Sequence, residues 1–236
     1  MTLYFRNKSP LVAAVQTLAL LLLFAFCTVS HGDEISPATG PGDVIREVTS
    51  EIMALVSEAP DYYDDDPDRY ISAVGKQLDS VVDFRGFARG VMGEYASSAR
   101  YKSLSDDGRD TLRAQLTRFT TVLRDGMVNT YSRGLLAFGS SRIELGETEI
   151  SPGSTRVASV NQYVYGEDGK VYTVKYQLGQ YRDGSWKLRN MIIENINLGE
   201  IYRSQFEASA VAAGGNLDTV IDTWDDSQIK TSATEE

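Results

Sequence analysis

One change of period constrains the fold of this chain more than any other feature. As far as Gly139 the apolar residues recur every three or four positions; beyond it they alternate. The first regime culminates in a run opening at Ser105, with Asp106 and Asp107 in its first turn. Leu112, Leu116, Phe119, Leu123, Met127 and Tyr131 form one continuous stripe along it, and Gly134, or Gly139 at the latest, closes it. A helix of about thirty residues, rising ~1.5 Å each, makes a rod of ~45 Å that spans a whole domain. The second regime has four alternating runs, 142–150, 156–165, 170–181 and 185–196. Ser151-Pro152-Gly153-Ser154, Gly166 to Gly169 and Arg182-Asp183-Gly184 separate them as turn signals. Short loops between successive strands give an antiparallel meander. In the third run Tyr172, Val174, Tyr176 and Leu178 share one face, opposite Thr173, Lys175 and Gln177. The fourth is apolar on both faces at Met191, Ile192 and Ile193, as suits a strand covered on both sides. Helices, then a meander, then helices specify α+β: a four-stranded antiparallel curved sheet packed against several helices. Helices laid around a curved sheet can enclose an apolar cavity in place of a solid core.

The remaining helical segments carry their own start signals. Asp43 is a candidate N-cap for a helix to residue 58, with Ile45, Val48, Ile52 and Leu55 or Val56 on one stripe and Pro60 past its end. Asp66 caps the next, Pro67 takes its first position, and Ile71, Val74, Leu78 and Val82 form its buried face. Asp83 caps a short helix with Phe84, Phe87, Val91 and Met92, ended by Gly90 and Gly93. Tyr95 to Tyr101 adds a turn or two. After the sheet, Asn197 caps a helix through Ala213, with Leu198, Ile201, Tyr202, Phe206 and Ser209 on related positions. Gly214-Gly215 ends it, and Asn216 starts a short helix with Leu217, Val220, Ile221 and Trp224.

The N-terminus reads as a removable segment. Arg6 and Lys8 precede an almost wholly apolar stretch from Leu11 to Phe26, and Ser30 and Gly32 place small residues at the −3 and −1 positions of a cut. We therefore expect a signal peptide over 1–32, a flexible leader over 33–42, one domain over 43–224 and a disordered tail over 225–236. The competing reading is an uncleaved anchor, because the apolar stretch approaches the ~18 residues that span a bilayer. Cys27 and His31 are the only Cys and His of the chain, and cleavage removes both. Disulfides, Cys nucleophiles, Ser-His-Asp triads and zinc or haem sites held by His are then excluded from the mature protein. With 33 acidic and 23 basic residues the formal charge is −10, and losing Arg6 and Lys8 takes it two further, to −12. That balance argues against a nucleic-acid binder. Asp64, Asp66 and Asp68 have the spacing of the first three ligands of a calcium loop. Arg69 stands where that loop needs Gly and Gly75 where it needs Glu, so helix capping is the better account. No metal and no cofactor is expected.

The fourth run carries a resemblance. Trp186-Lys187-Leu188-Arg189-Asn190-Met191-Ile192-Ile193-Glu194-Asn195-Ile196-Asn197-Leu198, followed by Tyr202-Arg203-Ser204-Gln205-Phe206, resembles the C-terminal signature of the MlaC (toluene-tolerance, Ttg2) family. Val82-Asp83-Phe84 with Val91-Met92-Gly93 is similar to the family's "D-F … L-G" segment, and Thr130-Tyr131 to its "T-Y" pair. Asn195-Ile196 depart from the usual Gly-Val, and Glu94-Tyr95 from the usual aromatic after the "L-G" glycine. The resemblance covers nearly all of the mature chain. It implies a periplasmic, monomeric carrier without catalytic residues. Such a carrier holds phospholipid acyl chains in an apolar pocket and moves lipid between an outer-membrane lipoprotein–porin complex and an inner-membrane ABC transporter complex, maintaining outer-membrane lipid asymmetry.

On that implication the sheet contributes Val160, Val164, Val174, Tyr176, Leu178, Met191, Ile193 and Ile196 to the pocket. The helices contribute Phe84, Phe87, Val91, Val128, Tyr131 and Phe206. From pattern alone ordinary core is the better account of the sheet residues, and only the resemblance brings the pocket level with it; the helical residues are equally packing. Glu194, among apolar neighbours, is a partner for Arg189 or Arg203 or a residue of the pocket mouth, and Trp186 a hairpin anchor. Two other readings remain. An isomerase or dehydratase would draw on Tyr131, Tyr163, Tyr176 and Glu194, although no spacing marks an acid/base pair. An envelope adaptor would bind proteins and no lipid.

Overall fold

The computed structural model describes residues 40–225 apart from 137, 138, 140, 167 and 168. The expected signal peptide and its cleavage point, nearly all of the leader and nearly all of the tail lie outside the described residues. Helix α1 spans Pro41–Glu58, α2 Pro67–Val81, α3 Phe84–Met92, α4 Ser98–Ser103 and α5 Asp106–Leu135. Strands β1 (Arg142–Ile150), β2 (Val157–Tyr165), β3 (Val171–Gln180), β4 (Trp186–Ile193) and β5 (Ile196–Asn197) follow, then α6 (Leu198–Ala212) and α7 (Leu217–Asp222).

Side-chain caps set most of the helix starts. Asp66 accepts from Arg69 N, Asp83 from Gly86 N, Ser105 from Gly108 N, Asn197 from Glu200 N and Asn216 from Thr219 N. Ser97 caps α4 in the same way and divides the Tyr95–Tyr101 segment into a single 3₁₀ turn and a short helix. α1 departs from expectation. It begins at Pro41 with Gly40 as a cap that offers no side chain. Proline suits this first position because its missing N–H would be unpaired there in any case. Asp43 thus lies inside the first turn, where its carboxylate accepts from the Arg46 guanidinium, and residues 41 and 42 are helical.

The sheet runs β1-β2-β3-β4-β5, antiparallel throughout. It has five strands and not four, because the fourth run does not continue to residue 196. The chain turns at Glu194-Asn195, with Glu194 in the left-handed region at φ 53°. Ile196 and Asn197 then fold back to pair with Ile193 and Ile192. Glu194 N–H donates to Thr173 O at 2.8 Å, and its carboxylate accepts from Thr173 N at 2.5 Å. Glu194 therefore fastens this turn to β3 and pairs with neither arginine. Arg189 faces Asp83, and Arg203 donates to Gly90 O.

Burial divides into two clusters. The first lies between the inner face of the sheet and α1, α2 and the end of α5. It includes Ile45, Ile52, Val74, Val128, Ile143, Val160, Val174, Leu178 and Ile193. Trp186 is buried there, as a hairpin anchor should be. The second is wholly helical: Phe87, Val91 and Met92 of α3, Leu112 to Leu123 of α5, Tyr202, Phe206 and Ala210 of α6, and Leu217, Val220 and Ile221 of α7. Ala210 takes the buried place on α6 that the spacing gives to Ser209. Trp224 lies beyond the end of α7 but still packs against this cluster.

Candidate functional site

A cavity of ≈ 110 Å³ opens where the two clusters meet the sheet. Ile45, Val48 and Ile52 of α1 wall one side; Leu78 and Val81 of α2, Val82, and Phe84 and Phe87 of α3 wall the next. Met127, Tyr131 and Leu135 of α5, Tyr176 of β3, Leu188 to Met191 of β4 and Leu198 of α6 complete it. The same stripes that make these helices amphipathic thus converge on one space. The lining is almost entirely apolar, the chemistry of a site that takes hydrocarbon.

The polar side chains on this wall are tied back into the protein. Tyr176 O–H donates to Gln162 Oε1 at 2.8 Å, and Gln162 Nε2 donates to Thr49 Oγ1 at 3.1 Å. This buried trio fixes α1 to β2 and β3. Burial pushes the Tyr176 hydroxyl above the ordinary tyrosine value, so it stays neutral. The Tyr131 and Tyr202 hydroxyls bond to each other at 3.2 Å. Asn190 Nδ2 donates to Gln177 Oε1 and Asn197 Oδ1, both at 2.9 Å, and Asn190 Oδ1 accepts from Gly199 N at 3.0 Å. Asn190 thereby holds the start of α6 against β4. Among the lining residues Arg189 alone carries a charge.

The cavity brings together Phe84, Phe87, Tyr131, Tyr176 and Met191 of the residues expected to form a pocket. The others do not border it. Val128, Val160, Val164, Val174, Leu178 and Ile193 are packed in the first cluster, and Ile196 is half-buried against it. Val91 and Phe206 lie in the second. Val160 and Val164 of β2 miss the cavity because α1 packs directly on β1 and β2. The sheet borders the void through Tyr176 of β3 and Leu188 to Met191 of β4. Sequence reasoning omitted the α1 face and Leu78, Val81, Met127 and Leu135. These stripes read as buried, but periodicity marks burial against something and not burial against a void. Of the four residues an enzyme would draw on, Tyr131 and Tyr176 border the cavity. The Tyr163 ring lies against Gly146, and Glu194 sits in the β4–β5 turn; neither borders the cavity, so the four do not assemble there.

Comparison with known proteins adds three findings. The family model described as MlaC protein matches residues 46–226. The toluene tolerance protein ttg2D of Pseudomonas putida is 29% identical over 207 residues, covering 88% of this chain and 86% of that protein. A phospholipid-binding protein from Ralstonia solanacearum, solved in complex with a phospholipid, superposes with a TM-score of 0.58. It covers 79% of this chain and 94% of its own at 14% identity, a likeness of fold.

Proposed function

The chain belongs to the MlaC family, and from that premise we propose that it is a periplasmic phospholipid carrier that buries acyl chains in the cavity between sheet and helices. The observation that carries this reading is the apolar void itself, set in a fold shared with a protein solved around a phospholipid. Burying a methylene group is worth ~0.8 kcal/mol, so two acyl chains supply enough free energy to hold a lipid without any covalent or metal link. At ≈ 110 Å³ the cavity is smaller than the ~300 Å³ at which ligand pockets ordinarily begin. Loading therefore requires the walls to part.

In this reading the signal peptide is cleaved after Gly32 and the mature domain moves lipid between an outer-membrane lipoprotein–porin complex and an inner-membrane ABC transporter complex. Its function is carriage in support of outer-membrane lipid asymmetry, not catalysis. The acidic surface has a place in this cycle. The exposed carboxylates of Asp61, Asp64, Asp65, Asp66 and Asp68 repel anionic lipid, which lets a loaded carrier leave a membrane. Lipid extraction from the purified mature protein tests the carrier reading. Stoichiometric phospholipid is expected; protein that neither retains nor takes up phospholipid would overturn it. Reversing the charges of the 61–68 stretch should increase binding to anionic vesicles, and unchanged binding would remove that role.

A further inference from the structure

We infer that the outward face of α3 is a docking surface for an acidic segment of a partner protein. The inference goes beyond the carrier reading and does not depend on what fills the cavity.

Charge is spread unevenly along this acidic chain. Residues 43–79, which hold most of α1 and α2, carry ten carboxylates against three cations. Residues 84–105, which hold α3 and α4, carry four cations against one carboxylate. Three arginines gather on one surface of this basic region. Arg85 and Arg89 are exposed and lie four positions apart on α3, so they share a face. Arg203 of α6, also exposed, joins them from the side through Nε to Gly90 O at 2.9 Å, and its two terminal nitrogens make no bond. Among the described residues none of the three is in an ion pair. Arg85 donates to the neutral Thr117 Oγ1 at 3.0 Å, and Arg89 bonds to no side chain. On the adjoining α5, by contrast, Arg109 is paired with Asp106 and Arg113 with Asp110.

Helix stability accounts for only part of this row. Arg89 lies in the last turn of α3, where the negative end of the helix dipole favours a cation. Arg85 lies in the first turn, where the dipole opposes one. Carboxylates border the row without neutralising it: Asp83 caps α3 through Gly86 N at 2.8 Å, and Glu207 stands beside Gly93. No neighbouring atom lies within 4 Å of where Gly90 would carry a Cβ, so the backbone between Arg89 and Arg203 is open to approach.

The guanidinium fork matches a carboxylate in two-pronged geometry, and arginine is enriched at protein interfaces. An anionic bilayer would meet the field of the whole molecule, whose formal charge is −10. A single acidic segment meets the row at short range, where screening by salt separates it from the distant carboxylates of α1 and α2. That difference favours a protein partner over a membrane. Phe84 and Phe87 of the same helix border the cavity, so a docked partner would lie one helix away from it.

The probe is a fluorescent decaglutamate peptide titrated with the purified mature protein. Wild type is expected to bind it at ~50 mM salt and to lose affinity severalfold by ~300 mM. Arg85→Glu/Arg89→Glu should weaken binding about tenfold or more, and Arg85→Gln/Arg89→Gln about threefold. Should the reversed pair fail to fold, the Gln pair carries the comparison. Lys76→Glu/Arg182→Glu makes the same change of net charge at exposed residues outside the row and should leave affinity within about twofold. A wild type that does not bind the peptide at low salt overturns the inference. So does an equal loss in the Lys76/Arg182 pair, which would mean that the peptide reads net charge alone. Wild-type binding to phosphatidylglycerol vesicles that Arg85→Glu/Arg89→Glu abolishes would assign the face to a membrane and overturn it as well. Lipid content is measured separately on the same preparations, so the docking inference and the carrier reading fail independently.

Discussion

The two clusters of this molecule are filled differently, and the contrast explains where the cavity lies. In the helical cluster the rings of Phe119, Phe206 and Trp224 lie 4.9 to 5.9 Å apart, and Tyr202 stacks on Trp224 at 6.4 Å. Such contacts add to area burial and leave little space between them. The cluster under the sheet has mixed aliphatic and aromatic walls, a buried polar trio and a void. The same long helix serves both: Leu112 to Leu123 pack into the ring-filled half, while Tyr131 and Leu135 face the cavity. One half supplies rigidity so that the other can keep unfilled space without collapsing.

Substitutions of graded size can break this comparison. Phe119 is fully buried at the centre of the rings. Phe119→Ala should cost ~3–5 kcal/mol in urea unfolding, because a dense site cannot close over the hole. Tyr176→Phe comes next. It leaves Gln162 Oε1 buried without its donor, at ~1–3 kcal/mol. The same variant reads out at high pH. The folded hydroxyl is held above the unfolded value of about 10, so its contribution is intact below pH ~10 and is lost as pH rises beyond that. Wild type should therefore lose stability more steeply above pH ~10 than Tyr176→Phe, and equal slopes would show the residue to be accessible. Smaller still is Leu78→Phe, which adds bulk to the cavity wall. Because the void accepts it, stability should change by less than ~1.5 kcal/mol while retained lipid falls. A large loss of stability there would mean that the first cluster is as tightly filled as the second.

How far the fold was legible follows from which forces act locally. The period switch after Gly139, the caps at Asp66, Asp83, Ser105, Asn197 and Asn216 and three of the four strand limits rest on interactions within a few residues, and the sequence displays them. The turn at Glu194-Asn195 was not legible. Neither residue is the glycine that a positive φ prefers, and the bond from Thr173 that stabilises it comes from a strand some twenty positions away. The bulge in β4 at Arg189 is likewise a relation between two strands. The cavity was legible in kind and only partly in position. Tyr176, Tyr131, Met191 and the two phenylalanines of α3 border it. Val174 and Leu178, on the same face as Tyr176, do not, because they are packed into the first cluster. Alternation assigns a face, but which stretch of the face is covered depends on how a distant helix crosses it.

The junction between the two clusters offers the finest test. Arg124 of α5 donates from Nε to Asp79 Oδ1 at 3.0 Å and from its terminal nitrogen to Asp79 Oδ2 at 2.8 Å, joining α5 to α2. Asp125 takes a third bond at 2.8 Å. These bonds, that to Asp79 foremost, raise the arginine above its ordinary value, so it is charged at every relevant pH. Beside it, Leu123 belongs to the dense cluster and Val128 to the one with the void. Gly75 permits the approach, since a Cβ there would stand 2.8 Å from the guanidinium. With 28% of Arg124 and 49% of Asp79 side chains exposed, solvent screens the pair. Arg124→Met should therefore cost no more than ~1 kcal/mol, and less in molar salt. Arg124→Lys keeps the charge but not the two-pronged geometry and should behave more like Met than like wild type. Combined with Phe119→Ala, the junction variant measures whether the halves unfold together. Additive costs, within ~0.5 kcal/mol, mean that the dense cluster does not depend on the ion pair. A larger joint loss would mean that slack near the cavity is transmitted through α5 into the rings.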